Sequence, residues 1–263
     1  MPAQYNYGWS LEQGIGVQKD EAAAAQWYAK AAEKQNSLAQ TALGILHREG
    51  RGVVKDFTRS ASLFGAAARQ GNRTAQFYYA LAFANGEGAT KNEVTAREWY
   101  EKAAASGQLA AMNNLGIYLR KGLGGPKDLT RAVALFRKSA DGNNDFAFVN
   151  MGDCLLNGDG VKENKKEAFD WFRKAADMDN PEGQYMTALC YHNGSGVTRD
   201  YAKAREWYDK AAAQNHAGAL NNLGVLYQNG LGVKMNRTVA REYYERAAKL
   251  GSDTAKKNLR SLK

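Results

Sequence analysis

The stretch Ala110-Ala111-Met112-Asn113-Asn114-Leu115-Gly116, followed six residues later by Gly122-Leu123-Gly124, decides how this chain folds, because its punctuation recurs along the whole sequence. Gly-x-Gly stands at Gly14/Gly16, Gly50/Gly52, Gly86/Gly88, Gly122/Gly124, Gly158/Gly160, Gly194/Gly196 and Gly230/Gly232, always 36 residues apart with no insertion or deletion. A constant period of this length marks an array of stacked supersecondary units rather than a domain wrapped around one catalytic pocket.

Working outward from the glycines, other residue types keep the same step. A small residue falls at Gly8, Gly44, Ala80, Gly116, Gly152, Ala188 and Gly224, where two helices approach closely only if no large side chain intervenes. Bulky pairs follow at Trp27-Tyr28, Leu63-Phe64, Trp99-Tyr100, Leu135-Phe136, Trp171-Phe172, Trp207-Tyr208 and Tyr243-Tyr244, supplying the apolar area a two-helix unit must bury. Small pairs, from Ala31-Ala32 to Ala247-Ala248, come four residues later, on the same helical face.

The boundaries are equally regular. Asp20, Asp56, Asn92, Asp128, Asn164, Asp200 and Asn236 precede the aromatic runs, where their side chains accept the open N–H groups of a first helical turn. The first glycine of each pair ends the preceding helix, since a left-handed residue costs glycine little. A second turn is expected at Gln35, Gly71, Gly107, Asn143, Asp179, Asn215 and Gly251. Each unit is thus a first helix such as Ser37 to Glu49, a loop, and a second helix such as Asp56 to Arg69. The first helix of the chain is expected near Ala3 to Gln13. An unpaired closing helix, Asp253 to Leu262, with Lys256, Lys257, Arg260 and Lys263, keeps the last face polar. The expected fold is all-α: a solenoid of seven 36-residue helix-turn-helix repeats plus a C-terminal capping helix, forming a single domain over residues 1–263.

The segments Ala110 to Gly116, Gly122-Leu123-Gly124 and Trp99-Tyr100-Glu101-Lys102-Ala103-Ala104 resemble the Sel-one-like repeat family, relatives of the tetratricopeptide repeats, and the resemblance covers nearly the whole chain. It implies a right-handed superhelix of antiparallel helix pairs whose first helices line a concave surface. Members act as adaptors, assembly factors and secretion- or virulence-associated proteins, and some bacterial members resemble immunity proteins that inhibit toxins. The resemblance therefore implies a non-enzymatic, monomeric scaffold for a protein or peptide partner and leaves the partner open.

Composition is consistent with this. There are three prolines in 263 residues, no low-complexity stretch, and no apolar run of membrane-spanning length, so membrane insertion is not expected. Met1 to Tyr7 lack the apolar core of a signal sequence and already belong to the first repeat. Cys154 and Cys190 occupy one repeat position in consecutive units. Helices in contact lie roughly 8–10 Å apart, too far for a disulfide between equivalent positions, so two buried thiols are expected. Exported members of the family carry a cysteine pair within each unit; its absence favours a reducing compartment, with a periplasmic or secreted location left open.

The net charge of +9 invites a nucleic-acid hypothesis, but the excess is spread as +2, +3 and +4 over residues 1–88, 89–176 and 177–263. Charges interleave on second helices, as in Arg205-Glu206-Trp207-Tyr208-Asp209-Lys210, which reads as a solvated face. A basic nucleic-acid-binding solenoid is therefore the alternative reading and not the preferred one. Catalytic signals are thin. No Gly-x-Gly continues into a dinucleotide or P-loop pattern. His47, His192 and His216 lack metal-ligand spacing. No serine has a lysine three residues on, as a β-lactamase-like hydrolase would need. No catalytic residue, metal or cofactor is assigned.

Binding residues are sought where one repeat position varies. Reading two positions before and one after the small packing residue gives Phe77, Tyr78 and Ala84; Asn113, Asn114 and Arg120; Val149, Asn150 and Leu156; Tyr185, Met186 and His192; Asn221, Asn222 and Gln228. Phe146 joins them, because its register elsewhere holds Leu38, Thr74, Ala110, Glu182 and Gly218 and packing demands no aromatic there. The candidate partner-binding set is Phe77, Tyr78, Asn113, Asn114, Arg120, Phe146, Asn150, Tyr185, His192, Asn221 and Asn222. Asn114, Asn150 and Asn222 are copies of one position: they either pair with the backbone of an extended peptide or bond within the fold.

Overall fold

The computed structural model describes residues 2–262; Met1 and the expected closing-helix cation Lys263 lie outside the described residues. Among these residues there are fifteen helices and no strand: α1 (Pro2–Gln13), α2 (Glu21–Glu33), α3 (Ser37–Glu49), α4 (Phe57–Arg69), α5 (Arg73–Asn85), α6 (Glu93–Ala105), α7 (Leu109–Lys121), α8 (Leu129–Asp141), α9 (Asp145–Asn157), α10 (Lys165–Asp177), α11 (Pro181–Asn193), α12 (Tyr201–Ala213), α13 (Ala217–Asn229), α14 (Arg237–Lys249) and α15 (Asp253–Ser261). The closing helix is one residue shorter than the sequence suggests, with Leu262 as its buried C-cap.

Two compact units divide the chain, Met1–Leu135 and Phe136–Lys263. In the first, α1 packs on α2, α3 on α4 and α5 on α6, and each second helix packs on the first helix that follows it. In the second, the same succession runs from α9 to α15, and α9 also touches α11.

The local signals act as the residue types dictate. Asp20, Asp56, Asn92, Asp128, Asn164, Asp200 and Asn236 each accept a backbone N–H of the first turn that follows. Gln35, Asn143, Asp179 and Asn215 take left-handed φ values of 59–62°, tolerable for amide and Asp side chains. First helices carry caps of their own, Asn36, Asn72, Asn144, Asn180, His216 and Ser252, each accepting a first-turn N–H.

Packing explains the small position. A Cβ added at Gly44 would stand 2.7 Å from the Phe64 ring, and at Gly152 and Gly224 it would collide with the rings of Phe172 and Tyr244. At these positions, and at Gly8 against Tyr28, the small residue of the first helix is the seat of the bulky residue of its partner helix. Those rings form the fully buried core, with Tyr28, Phe64, Tyr100, Phe136, Phe172, Tyr208 and Tyr244 all at most 1% exposed. Burial of each such ring stabilises the fold by about 1.5–3 kcal/mol. The second glycine of Gly-x-Gly also serves packing, because Gly88, at φ 74°, lies against the Phe57 backbone at the start of α4 and even a methyl group there would collide. The turn glycine thus joins consecutive repeats.

Candidate functional site

Each first helix buries its small residue, and the candidate residues of α5, α7, α11 and α13 gather around the core tyrosines Tyr100 and Tyr208. In the first unit, α5 places Phe77 and Tyr78 half-buried at the surface. Tyr78 stacks on Phe64 with centroids 4.9 Å apart and planes 13° from parallel, and meets Phe77 edge-on at 5.4 Å. The Arg48 guanidinium lies 5.6 Å from the Tyr78 centroid and pairs with Glu87 at 3.0 Å. Phe77 in turn lies 6.2 Å from Tyr100. The result is a continuous aromatic strip with a paired cation at one end.

On α7, Asn113 is only 5% exposed and donates to the Asn114 Oδ1 at 3.4 Å. Asn114 donates through Nδ2 to the Tyr100 hydroxyl at 3.3 Å. Arg120 is half-buried in the last turn of that helix. A residue as covered as Asn113 supplies little contact area, so its part in this surface is to orient Asn114.

The second unit repeats the theme with different side chains. Asn221, 8% exposed, donates to Asn222 at 3.1 Å and accepts from Asn258 of α15 at 2.9 Å. Asn222 donates to the Tyr208 hydroxyl at 3.1 Å. Tyr185 on α11 stacks on His216 with centroids 4.4 Å apart and lies 6.0 Å from Tyr208. His216 is held twice, its Nδ1 accepting the Ala219 N–H at 3.1 Å and its Nε2 meeting Glu182 at 3.0 Å. His192 stands edge-on to Tyr201 and Tyr208, with centroids at 5.2 and 6.1 Å. Burial first, then the Arg199 charge, hold its pKa below the usual imidazole value. On α9, Phe146 is 62% exposed, and Asn150 donates to the Phe146 carbonyl of its own helix at 3.1 Å.

The structure therefore brings Phe77, Tyr78 and Asn114 together around Tyr100, and Tyr185, His192 and Asn222 together around Tyr208. Phe146 and Asn150 share one helix turn. The asparagines follow the residue they face. Asn114 and Asn222 face tyrosines and bond their hydroxyls, whereas Asn150 stands fourteen residues after a phenylalanine, Phe136, and donates to its own helix backbone.

Sequence reading missed Arg48, Glu87 and Tyr100 beside the candidate residues of the first unit and Tyr208 beside those of the second. The signal lay in the spacing: Tyr28 donates to Glu12 at 2.7 Å and Tyr244 to Gln228 at 2.6 Å, both sixteen residues earlier, while Tyr100 and Tyr208 accept from residues fourteen later. Burial, the dominant cause, raises the phenol pKa values of all four; that of Tyr244 is pushed up to about 12. Cys154 and Cys190 are buried thiols, and burial pushes Cys190 up to about 11, so it is a packing residue rather than a nucleophile. Among the described residues, no three His, Cys, Asp or Glu side chains are grouped to hold a metal ion, and no helix is long and apolar enough to cross a membrane.

The Sel1 repeat model matches residues 2–36, 37–72, 74–108, 109–144, 149–180, 181–216 and 217–252. No curated protein matches the chain. Among solved structures, the chain is similar to a Sel1 repeat protein of Oxalobacter formigenes, at 28% identity and TM-score 0.85, over 93% of this chain and 96% of that one. It is also similar to c5321, a protective antigen of uropathogenic Escherichia coli with an SLR fold, at 34% identity and TM-score 0.77 over 98% of this chain; the match spans only 56% of c5321. A third likeness, at 25% identity and TM-score 0.50, is to the immunity protein PA5088 of Pseudomonas aeruginosa, over 70% of this chain and 66% of that one. With seven matched repeats covering nearly all of its length, the chain belongs to the Sel1 repeat family, and its fold is the all-α solenoid of that family.

Proposed function

We propose that this protein is a non-enzymatic scaffold that binds a protein partner on the face presented by its first helices, in the manner of an adaptor or of an immunity protein. The single observation that carries this reading is the half-exposed aromatic strip of the first unit, Phe77 and Tyr78 with Arg48 beside them, standing over a polar row that includes Asn114. Large rings with few rotatable bonds, an Arg and satisfied amides are the composition of an interface centre. The repeat family commonly mediates protein interactions, and the likeness to PA5088 supports the immunity variant of the reading. In the first unit Asn113 acts behind the contact area that Phe77, Tyr78 and Arg120 supply, and in the second Asn221 acts behind that of Phe146 and Tyr185.

The experiment is quantitative affinity capture from the native host with the wild-type chain and with a variant carrying alanine at those five positions. A partner enriched by the wild type and lost by the variant, with helicity unchanged, supports the reading. Equal recovery by both removes it.

A further inference from the structure

A phenol hydroxyl both accepts and donates, so a buried tyrosine has two requirements. Tyr28 and Tyr244 meet the donor requirement within the fold, giving their protons to the Glu12 Oε2 and the Gln228 Oε1, each sixteen residues earlier on the partner helix. Tyr100, 1% exposed, is the same position in another repeat, and its one hydrogen bond among the described residues is the one it accepts from Asn114. The residue sixteen before it is Ala84, whose methyl group accepts nothing. Among the described residues the Tyr100 proton has no protein acceptor, so that side of the hydroxyl is left for a ligand.

Space stands where the missing side chain would be. A recess of about 400 Å³ lies elsewhere, by Arg205, but the one lined by Tyr100 measures about 270 Å³ and is formed by α5, α6 and α7. Its walls include Leu81, Ala84, Ile117 and Leu123, with Asn114 beside the tyrosine and the exposed Lys91 at its edge. Lys91 pairs with Glu93 at 3.8 Å, so that edge carries no net charge. Burial raises the Tyr100 phenol, so its hydroxyl keeps a proton to give.

We propose that this recess receives the side chain of a glutamine from the protein partner, its carbonyl oxygen accepting the Tyr100 proton as the Gln228 oxygen accepts that of Tyr244. That the glutamine belongs to a protein rests on the function proposed above; the chemistry of the recess stands on the geometry alone. The aliphatic walls suit the two methylene groups, and a neutral carboxamide gives up less hydration than a carboxylate on entering them.

The test is a titration of the isotope-labelled full chain with N-acetyl-glutamine N-methylamide, followed through the Asn114 side-chain amide signals. A saturable shift is expected, with Kd near about 1 mM for a group of this size. The norleucine analogue, of similar length but without the carbonyl, should bind at least tenfold more weakly. Ala84→Gln should abolish the shift by filling the recess as Gln228 does, and Tyr100→Phe should abolish it by removing the donor. If Tyr100→Phe fails to fold, Ala84→Gln decides. The proposal is overturned by equal binding of the norleucine analogue, by tighter binding of the glutamate analogue, by tighter binding of free glutamine than of the blocked form, or by no saturable shift. A positive titration with failed partner capture would remove the partner reading and leave the recess standing.

Discussion

The hydrogen bond between Asn222 and Tyr208 separates a structural role for the repeated asparagine from a partner-facing one, and a double-mutant cycle measures it. Tyr208 is fully buried, and the Asn222 Nδ2 donates to its hydroxyl at 3.1 Å. Tyr208→Phe removes the hydroxyl and leaves a half-buried amide that water can reach, a loss of about 1 kcal/mol. Asn222→Ala leaves the phenol oxygen inside the protein without its donor, a loss of about 1–3 kcal/mol. Because both changes remove one interaction, the double variant should fall short of the sum by about 1 kcal/mol. Urea unfolding at constant m value is the assay, since a changed slope would signal that repeats unfold separately. Losses that add to within about 0.3 kcal/mol would refute the reasoning. Asn222 would then point away from Tyr208 and be available to a partner.

Other consequences follow from the same contacts. His216→Ala should cost about 1 kcal/mol by removing the cap of α13, and His216→Asn should restore most of it, as Asn36 and Asn72 cap equivalent helices; thermal unfolding distinguishes the two. Arg51→Ala removes the bonds to Glu12, Glu21 and Glu49 at once, and its cost of about 1 kcal/mol should shrink at about 1 M salt. Gly88→Ala should destabilise by more than about 1 kcal/mol, because positive φ and the Phe57 backbone both oppose a Cβ. Burial raises the Tyr244 phenol to about 12, above its value near 10 in the unfolded chain. Its contribution to stability is therefore full below pH 10 and lost as pH rises through 12, so alkaline unfolding should coincide with tyrosinate absorbance over that window.

What the sequence showed directly was whatever depends on neighbours along the chain. Asp56 caps α4 and Gly50 closes α3 within a turn of their own positions, so residue type alone announces them. The small and bulky positions were legible because each repeat restates them, although Gly44 and Phe64 meet across a helix pair. The site was harder. Arg48 pairs with Glu87 thirty-nine residues away, and Glu87 is the middle residue of a Gly-x-Gly, a place that looks like loop filler. The two uses of the repeated asparagine could not be separated by its own position, because the answer lies fourteen residues earlier, in whether a tyrosine or a phenylalanine fills the core. Asn114 and Asn222 meet the tyrosine hydroxyls, and Asn150 bonds the Phe146 carbonyl of its own helix. Asn113 and Asn221 share a register with half-exposed Phe77 and Tyr185, and only packing places the amides under cover.

The central claim, that the first-helix face binds a protein, is tested most directly by measuring partner recovery from the native host with three chains in parallel. These are the wild type, the variant with alanine at Phe77, Tyr78, Arg120, Phe146 and Tyr185, and a control with alanine at the exposed Lys166 and Asp170 of α10. The account predicts recovery equal for the wild type and the control and at least tenfold lower for the five-site variant. Full recovery by the five-site variant, or loss confined to the control, would contradict it.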